Sequence, residues 1–286
     1  MEDKICLITG ATSGIGLVTA RTLAQRGASV VLVGRDATRA KTTAEEIQRQ
    51  TGNAAVEYLV ADLSSQAQVR RLAEEFSGTH EKLDVLINNA GALFSRRQES
   101  VDGLEMTFAL NHLAPFLLTN LLLERLRASA PARIVTVASM AHSGATIPFD
   151  DLQQTHHPYR GLRVYGQSKL ANILFTYELA RRVADTGVTA NTLHPGVVGS
   201  NFAMNNGGII KYGYIVARPF MLSTEKGAQT SVYLATSPDV ASVSGQYFVK
   251  CRPTQSSPAS YDQDAARRLW EISEQLTGLS ARSQSA

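Results

Sequence analysis

Apolar positions along the chain follow two periods. Short β-branched runs, "KICLIT" at 4–9, "SVVLVG" at 29–34, "AVEYLV" at 55–60 and "LDVLIN" at 83–88, are apolar almost throughout, as in strands covered on both faces. Between them lie longer stretches with apolar residues at helical spacing, starting at about Gly14, at about Asp36 and again after "AVEYLV". The alternation continues through "ARIVTVAS" at 132–139, a helix holding Tyr165 and Lys169, and "VTANTLH" at 188–194. Alternating strand and helix implies parallel strands joined by right-handed crossovers, with helices on both faces of the sheet. Six parallel strands follow, and "GQYFVK" at 245–250 supplies a seventh at the edge. No internal repeat, low-complexity segment or Pro/Gly-rich linker interrupts the chain before its last residues. The prediction is an α/β fold, one doubly wound domain over 1–279, followed by a polar tail "SARSQSA" at 280–286 that stays mobile.

Composition narrows the function. With 286 residues and 44% hydrophobic content the chain can bury a core of ordinary size. The formal charge is +3, from 28 basic and 25 acidic residues mixed along the chain, so no electrostatic footprint for nucleic acid is visible. Cys6 and Cys251 lie far apart, with Cys6 inside an apolar run, which argues against a disulfide framework and for a reducing, cytoplasmic setting. The start "MEDKICLITG" is charged and enters a strand at once, without the apolar segment of a signal peptide. The two most apolar stretches, "FALNHLAPFLLTNLLL" and "GGIIKYGYIVARPFML", are broken by polar residues and fall short of the roughly 20 apolar residues that span a bilayer. The second could still lie against a membrane surface as a peripheral contact, or form a greasy lid.

Candidate chemistry begins at the first strand's end. "TGATSGIG" puts Gly10, Gly14 and Gly16 where the chain turns into a helix, with Thr12, Ser13 and Ile15 between them. Glycine permits the tight backbone and lets amide N–H groups approach a pyrophosphate, which the helix N-terminus favours. After the first strand of an alternating pattern, such a turn points to a Rossmann-type dinucleotide site. At the end of the second strand a carboxylate would receive the ribose hydroxyls of NAD, but this chain reads "VGRD". Gly34 removes a repelling side chain, and Arg35 with Arg39 offers guanidinium donors to a 2'-phosphate, so NADP(H) is favoured over NAD(H). The alternative there is a solvated Arg35 with Asp36 as a helix cap. Asp62 and Leu63 after the third strand could border the adenine, and "NNAG" (Asn89, Ala90 and Gly91 among them) follows the fourth on the same edge.

Ser139 ends the fifth strand on that edge, and Tyr165 and Lys169, four residues apart, share one face of the next helix. Hydride transfer between a nicotinamide and a carbonyl needs a proton delivered to or taken from the substrate oxygen. A tyrosine, with an unperturbed pKa of about 10, serves only if a neighbouring cation favours its phenolate, and Lys169 is spaced to be that cation. Gly166, beside Tyr165, would leave room for cofactor or substrate at a helix cost of about 1 kcal/mol.

"TGATSGIG", "NNAG", Ser139 and "YGQSK", in this order, resemble the short-chain dehydrogenase/reductase family over nearly the whole chain. "LNHLAPFLLTNLLL", "SKLANILFTYELARR", "LHPGVV", "EKGAQTSVYLA", "SGQYFVKC" and "ARRLWEIS" are similar to its subgroup of retinol dehydrogenases and WW-domain oxidoreductase. The resemblance implies Tyr165 as general acid/base and Ser139 as a hydrogen-bond partner of the substrate oxygen. It implies that Lys169 binds the nicotinamide ribose, and that Asn111 holds a water in a proton relay. It also places Pro195, Gly196, Val198 and Ser200, where many relatives carry threonine, beside the nicotinamide. His112 reads as a packing residue. No metal ligand set is expected.

His142 and Ser143 and the segment at about 200–222, with Phe202, Met204, Ile209, Ile210, Tyr212 and Phe220, are expected around the substrate. Such a segment could close over a lipophilic aldehyde, ketone or alcohol, a retinal-like one by resemblance, or pack against the core or a partner subunit of a homo-oligomer. The reading is an NADP(H)-dependent oxidoreductase acting as a reductase in cells. The competing one is a sensor or scaffold that keeps the fold and the dinucleotide without useful turnover.

Overall fold

A computed structural model of the chain describes residues 1–198 and 222–279. Seven strands, β1 (Ile5–Thr9), β2 (Ser29–Gly34), β3 (Val56–Val60), β4 (Val85–Asn88), β5 (Ala132–Val137), β6 (Val188–His194) and β7 (Tyr247–Val249), run parallel in the order β3-β2-β1-β4-β5-β6-β7. The order reverses between β1 and β4. That reversal opens a crevice at the carboxyl ends of the strands, where doubly wound sheets take ligands.

The seventh strand does not form the edge, contrary to the sequence reading. A two-residue strand, β8 (Arg252–Pro253), pairs antiparallel with β7 and closes the sheet at eight strands. The link is Lys250–Cys251, both left-handed at φ +50 and +60. Two consecutive positive φ values mark a tight hairpin turn usually announced by Asn or Gly, so "KC" gave no turn signal. Pro253 sits on the outermost strand, where its missing N–H costs no ladder bond.

Period-two alternation sends neighbouring strand residues into two separate cores. Leu7, Val31, Val33 and Leu86 face α3 (Gln66–Thr79), α5 (Ala114–Leu121), α7 (Gly161–Arg182) and the last helix, α9 (Gln263–Thr277). Cys6, Ile8, Leu32 and Ile87 face α1 (Gly14–Gln25), α2 (Ala37–Thr51) and α8 (Thr224–Thr236). Phe116, Phe175 and Trp270 meet edge-on or stacked at 4.9–5.8 Å and bind α9 to α5 and α7. His112 packs here, as the sequence suggests: it is fully buried, bonds Ser273 at 2.9 Å, and burial holds its imidazole down to about 3.

Stretch 108–123 of the sequence, apolar all round, is buried on nearly every side. It includes one turn of π-helix, Ala109–Leu113, between α4 (Met106–Phe108) and α5, and that wider turn carries Asn111. Among the described residues no helix is long and apolar enough to cross a membrane. The stretch 199–221, which holds Ser200 and all of the predicted substrate segment except Leu222, and the tail 280–286 lie outside the described residues.

Candidate active site

Strand β1 delivers the chain to a turn in which Gly10 (φ +64) and Gly14 (φ +58) are left-handed, and α1 starts at once. Ser13 occupies the N-cap but makes no side-chain cap bond, whereas Asp36 caps α2 by accepting from the Arg39 N–H at 2.8 Å. The first-turn N–H groups of α1 are thus left without a side-chain cap, and they border a cavity of about 970 Å³. That suits an anion, because the helix dipole and open donors act together.

The cavity runs along the carboxyl edge of the sheet from Arg35 and Arg39 to Ser139 and Tyr165. Between these ends it is lined by Gly10, Thr12, Ser13, Gly14, Ile15 and Gly16, by Asp62 and Leu63, and by Asn89, Ala90 and Gly91. Lys169, Pro195, Gly196 and Val198 complete the predicted set. Within this set some roles are structural. The Asn89 amide donates to the carbonyls of Thr9 (2.8 Å) and Gly10 (3.2 Å), locking the first turn to the loop after β4. Gly34 has a packing cause too: a Cβ there would lie 2.5 Å from the Thr12 methyl.

Ser139, Tyr165 and Lys169 converge. The Ser139 hydroxyl accepts from the Ala141 N–H at 3.2 Å and is hydrogen-bonded to the Tyr165 hydroxyl. Burial pushes the Tyr165 phenol up, opposed by that serine bond. The Lys169 ammonium lies 5.6 Å from the centre of the Tyr165 ring and donates to the Val137 carbonyl at 2.9 Å. Burial lowers its pKa to about 8, leaving it charged at neutral pH. At this distance the ammonium does not outweigh the desolvation of the phenol, which stays above its ordinary value, against the expectation from sequence.

Asn111 does not line the cavity. Its amide donates to the Ala92 carbonyl (2.9 Å) and the Ser168 hydroxyl (3.0 Å) and accepts from the Ala92 N–H (2.9 Å), tying the loop after β4 to α7.

His142 departs from its expected substrate contact. It is 2% exposed, its Nδ1 bonds the Ser139 carbonyl at 2.6 Å, and its Nε2 accepts from the Ser257 N–H at 3.0 Å. Both ring nitrogens are therefore used by backbone, and the ring stands edge-on to Tyr247 at 5.1 Å.

Gly166 also has a different cause from the one expected. A Cβ there would sit 2.5 Å from the Ala141 carbonyl oxygen, so the glycine lets α7 touch the turn that carries Ser139. Overpacking of that kind costs about 1–3 kcal/mol. Gly166→Ala is expected to lower turnover and Tm together while leaving NADPH affinity near wild type; a steady-state assay beside a thermal melt checks this.

Residues not singled out from sequence complete the site. His194 lines the cavity and accepts the Met140 N–H on its Nδ1 at 3.2 Å; burial, with His142 nearby, holds its imidazole down to about 4. Leu93, Phe94, Met106 and Leu110 form an apolar wall, and Met140, Leu162 and Val197 an exposed apolar rim. Leu162 stands three residues before Tyr165 on the same helix face, a spacing that could have flagged it.

The short chain dehydrogenase family's sequence model matches residues 4–208. Retinol dehydrogenase 12 of Mus musculus is 44% identical over 279 residues, covering 98% of this chain and 88% of that one. Human retinol dehydrogenase 14 is 43% identical over 295 residues, with the same coverage of both chains. Among solved structures, an uncharacterized protein from Mycobacterium paratuberculosis superposes with a TM-score of 0.78 at 34% identity, covering 97% of this chain and 94% of that one. The RhlG/NADP active-site complex of Pseudomonas aeruginosa gives 0.70 at 28% identity, covering 87% and 94%. Glycine turn, serine, tyrosine and lysine stand along one sheet edge, and the family model over residues 4–208 together with relatives at 43–44% identity shows that the chain belongs to the short-chain dehydrogenase family.

Proposed function

We propose that this protein is an NADP(H)-dependent oxidoreductase that interconverts a lipophilic aldehyde or ketone and its alcohol, working as a reductase in cells. The observation that carries the reading is the meeting of Ser139, Tyr165 and Lys169 at one end of an elongated cavity whose other end holds Arg35 and Arg39. A nicotinamide dinucleotide, when bound, supplies or takes up the hydride. The chain's own work is binding, orientation and the proton. Uncapped N–H groups of α1 would hold the pyrophosphate, the guanidinium groups of Arg35 and Arg39 a 2'-phosphate, and Lys169 the ribose next to the nicotinamide.

With the substrate oxygen against Ser139 and Tyr165, the phenol donates its proton as the carbonyl is reduced and takes one back when the alcohol is oxidised. Burial keeps the phenol protonated at neutral pH, the form that reduction needs. The apolar wall and rim support a lipophilic substrate. The Asn111 donors are both used by protein groups, so a part in a proton relay would fall to its main chain. A sensor without turnover would still use Lys169 for the ribose, but it would gain nothing from the Ser139 and Tyr165 hydroxyls brought together in the cavity. We take 1–279 as one catalytic unit, and a cytoplasmic location is supported by the two free cysteines.

Turnover with a panel of lipophilic aldehydes, ketones and alcohols, in both directions and with both nicotinamides, tests this; NADPH-dependent reduction is expected, and tight NADPH binding without any turnover would favour the sensor. Arg35→Ala should reduce the NADPH-over-NADH preference in kcat/KM by about 10-fold or more, the scale of a lost charge-assisted bond. An initial preference for NADH would refute the cofactor assignment.

A further inference from the structure

Two histidines meet one peptide group. The bond joining Ser139 to Met140 offers one carbonyl and one N–H, which point in opposite directions across a trans peptide. His142 Nδ1 contacts the carbonyl at 2.6 Å, and His194 Nδ1 contacts the N–H at 3.2 Å. A carbonyl only accepts and a backbone N–H only donates, so the geometry assigns the hydrogens. His142 carries its proton on Nδ1 and its lone pair on Nε2, where the Ser257 N–H arrives; His194 has its lone pair on Nδ1. The two rings are neutral and of opposite tautomer, and both are buried at 2% and 5% exposure.

We propose that His142 and His194 are positioning residues for the reaction, a two-histidine clamp that holds the Ser139–Met140 peptide at both ends and so fixes the Ser139 hydroxyl against Tyr165. The proposal rests on the reading of Ser139 and Tyr165 as the reacting pair. The clamp is braced from outside the site. Ser257 precedes a short 3-10 turn, Pro258–Tyr261, that is pinned to α7 through hydroxyls: Tyr177 to Ser256 at 2.8 Å, Ser256 to Ser260 at 2.6 Å, and Ser260 to the Ser257 carbonyl at 2.6 Å. The helix that presents Tyr165 thereby also sets the position of His142 and, through it, of Ser139. With the serine oxygen already accepting from the Ala141 N–H, fixing its peptide leaves the hydroxyl hydrogen to be donated.

Replacement by leucine and by asparagine separates positioning from mere filling of space. Asparagine places an amide group near each Nδ1 position and can donate to the Ser139 carbonyl or accept from the Met140 N–H, whereas leucine can do neither. His142→Leu and His194→Leu are expected to lower kcat by about 10²-fold, the cost of a small misplacement, with the NADPH Kd within about threefold of wild type. His142→Asn and His194→Asn should recover most of that loss. Ser257→Pro removes the N–H brace together with a buried hydroxyl that makes no hydrogen bond, at a residue whose φ of −65 already suits proline, and should lower kcat several-fold without moving the Kd. Wild-type kcat in the leucine variants and in Ser257→Pro, or asparagine variants as impaired as the leucine ones, would overturn the clamp. Where a leucine variant fails to fold, the asparagine and proline variants decide in the same way. Tyr165→Phe is assayed alongside: if it turns over normally the reading of the reacting pair falls, and if it is inactive while the histidine variants are normal only the clamp falls.

Discussion

Tyr165→Phe is expected to lower kcat by about 10³-fold, in the middle of the range for removing a general acid, while NADPH binds with unchanged Kd. The change deletes one oxygen from a side chain that helix α7 and the Ser139 turn already hold in place, so fold and cavity stay as they are. Nothing else within the constellation can take over the proton. Ser139 shares the hydrogen bond but its hydroxyl is far too weak an acid, Lys169 is directed at the Val137 carbonyl, and both nitrogens of His142 are bound to backbone. Stopped-flow mixing of the variant with NADPH and aldehyde, beside a fluorescence titration of NADPH, separates chemistry from binding. Residual turnover within tenfold of wild type would remove Tyr165 from the mechanism.

Lys169→Met is expected to cost about 10²-fold in kcat and to weaken NADPH binding, because one ammonium serves both. The sign of its pH effect follows from the charge. Alcohol oxidation needs the phenolate, and a nearby cation favours that form. Without the ammonium the Tyr165 phenol, already pushed up by burial, rises further, so the oxidation profile shifts to higher pH. Reduction, which uses the protonated phenol, should show little shift near neutrality. In the wild-type protein burial lowers the lysine pKa to about 8, which predicts weaker NADPH capture above that pH. A profile for oxidation that is unchanged, or displaced toward acid, would contradict the role assigned to Lys169.

Much of this was legible in the chain because the sheet is buried on both faces. Apolar runs such as 29–34 could be nothing but inner strands, and β2 and β6 begin and end where the sequence placed them. The lining of the cavity was legible for a related reason: a glycine-rich first turn and residues at the carboxyl ends of parallel strands fall along one sheet edge. The failures share a cause as well. Gly166 and His142 looked like substrate neighbours because they lie next to reacting residues in sequence, yet their contacts come from elements far along the chain or across a turn, Ala141 for one and Ser257 for the other. His194 was overlooked since a histidine ending a strand carries no local pattern, and only the pairing of β5 with β6 brings it to Met140. The two-residue strand β8 escaped because its turn uses Lys250 and Cys251 in a conformation that side chains rarely adopt.

The central claim is that this cavity moves a hydride between a nicotinamide and a carbonyl carbon with Tyr165 handling the proton. Incubation with NADPH carrying deuterium at the transferred position and a lipophilic aldehyde, read by mass spectrometry of the alcohol, measures it directly. The account predicts one deuterium on the carbinol carbon with the wild-type protein and none above background with Tyr165→Phe. Unlabelled alcohol, no alcohol at all across the aldehydes that the apolar wall can admit, or equal labelling by both proteins would contradict it.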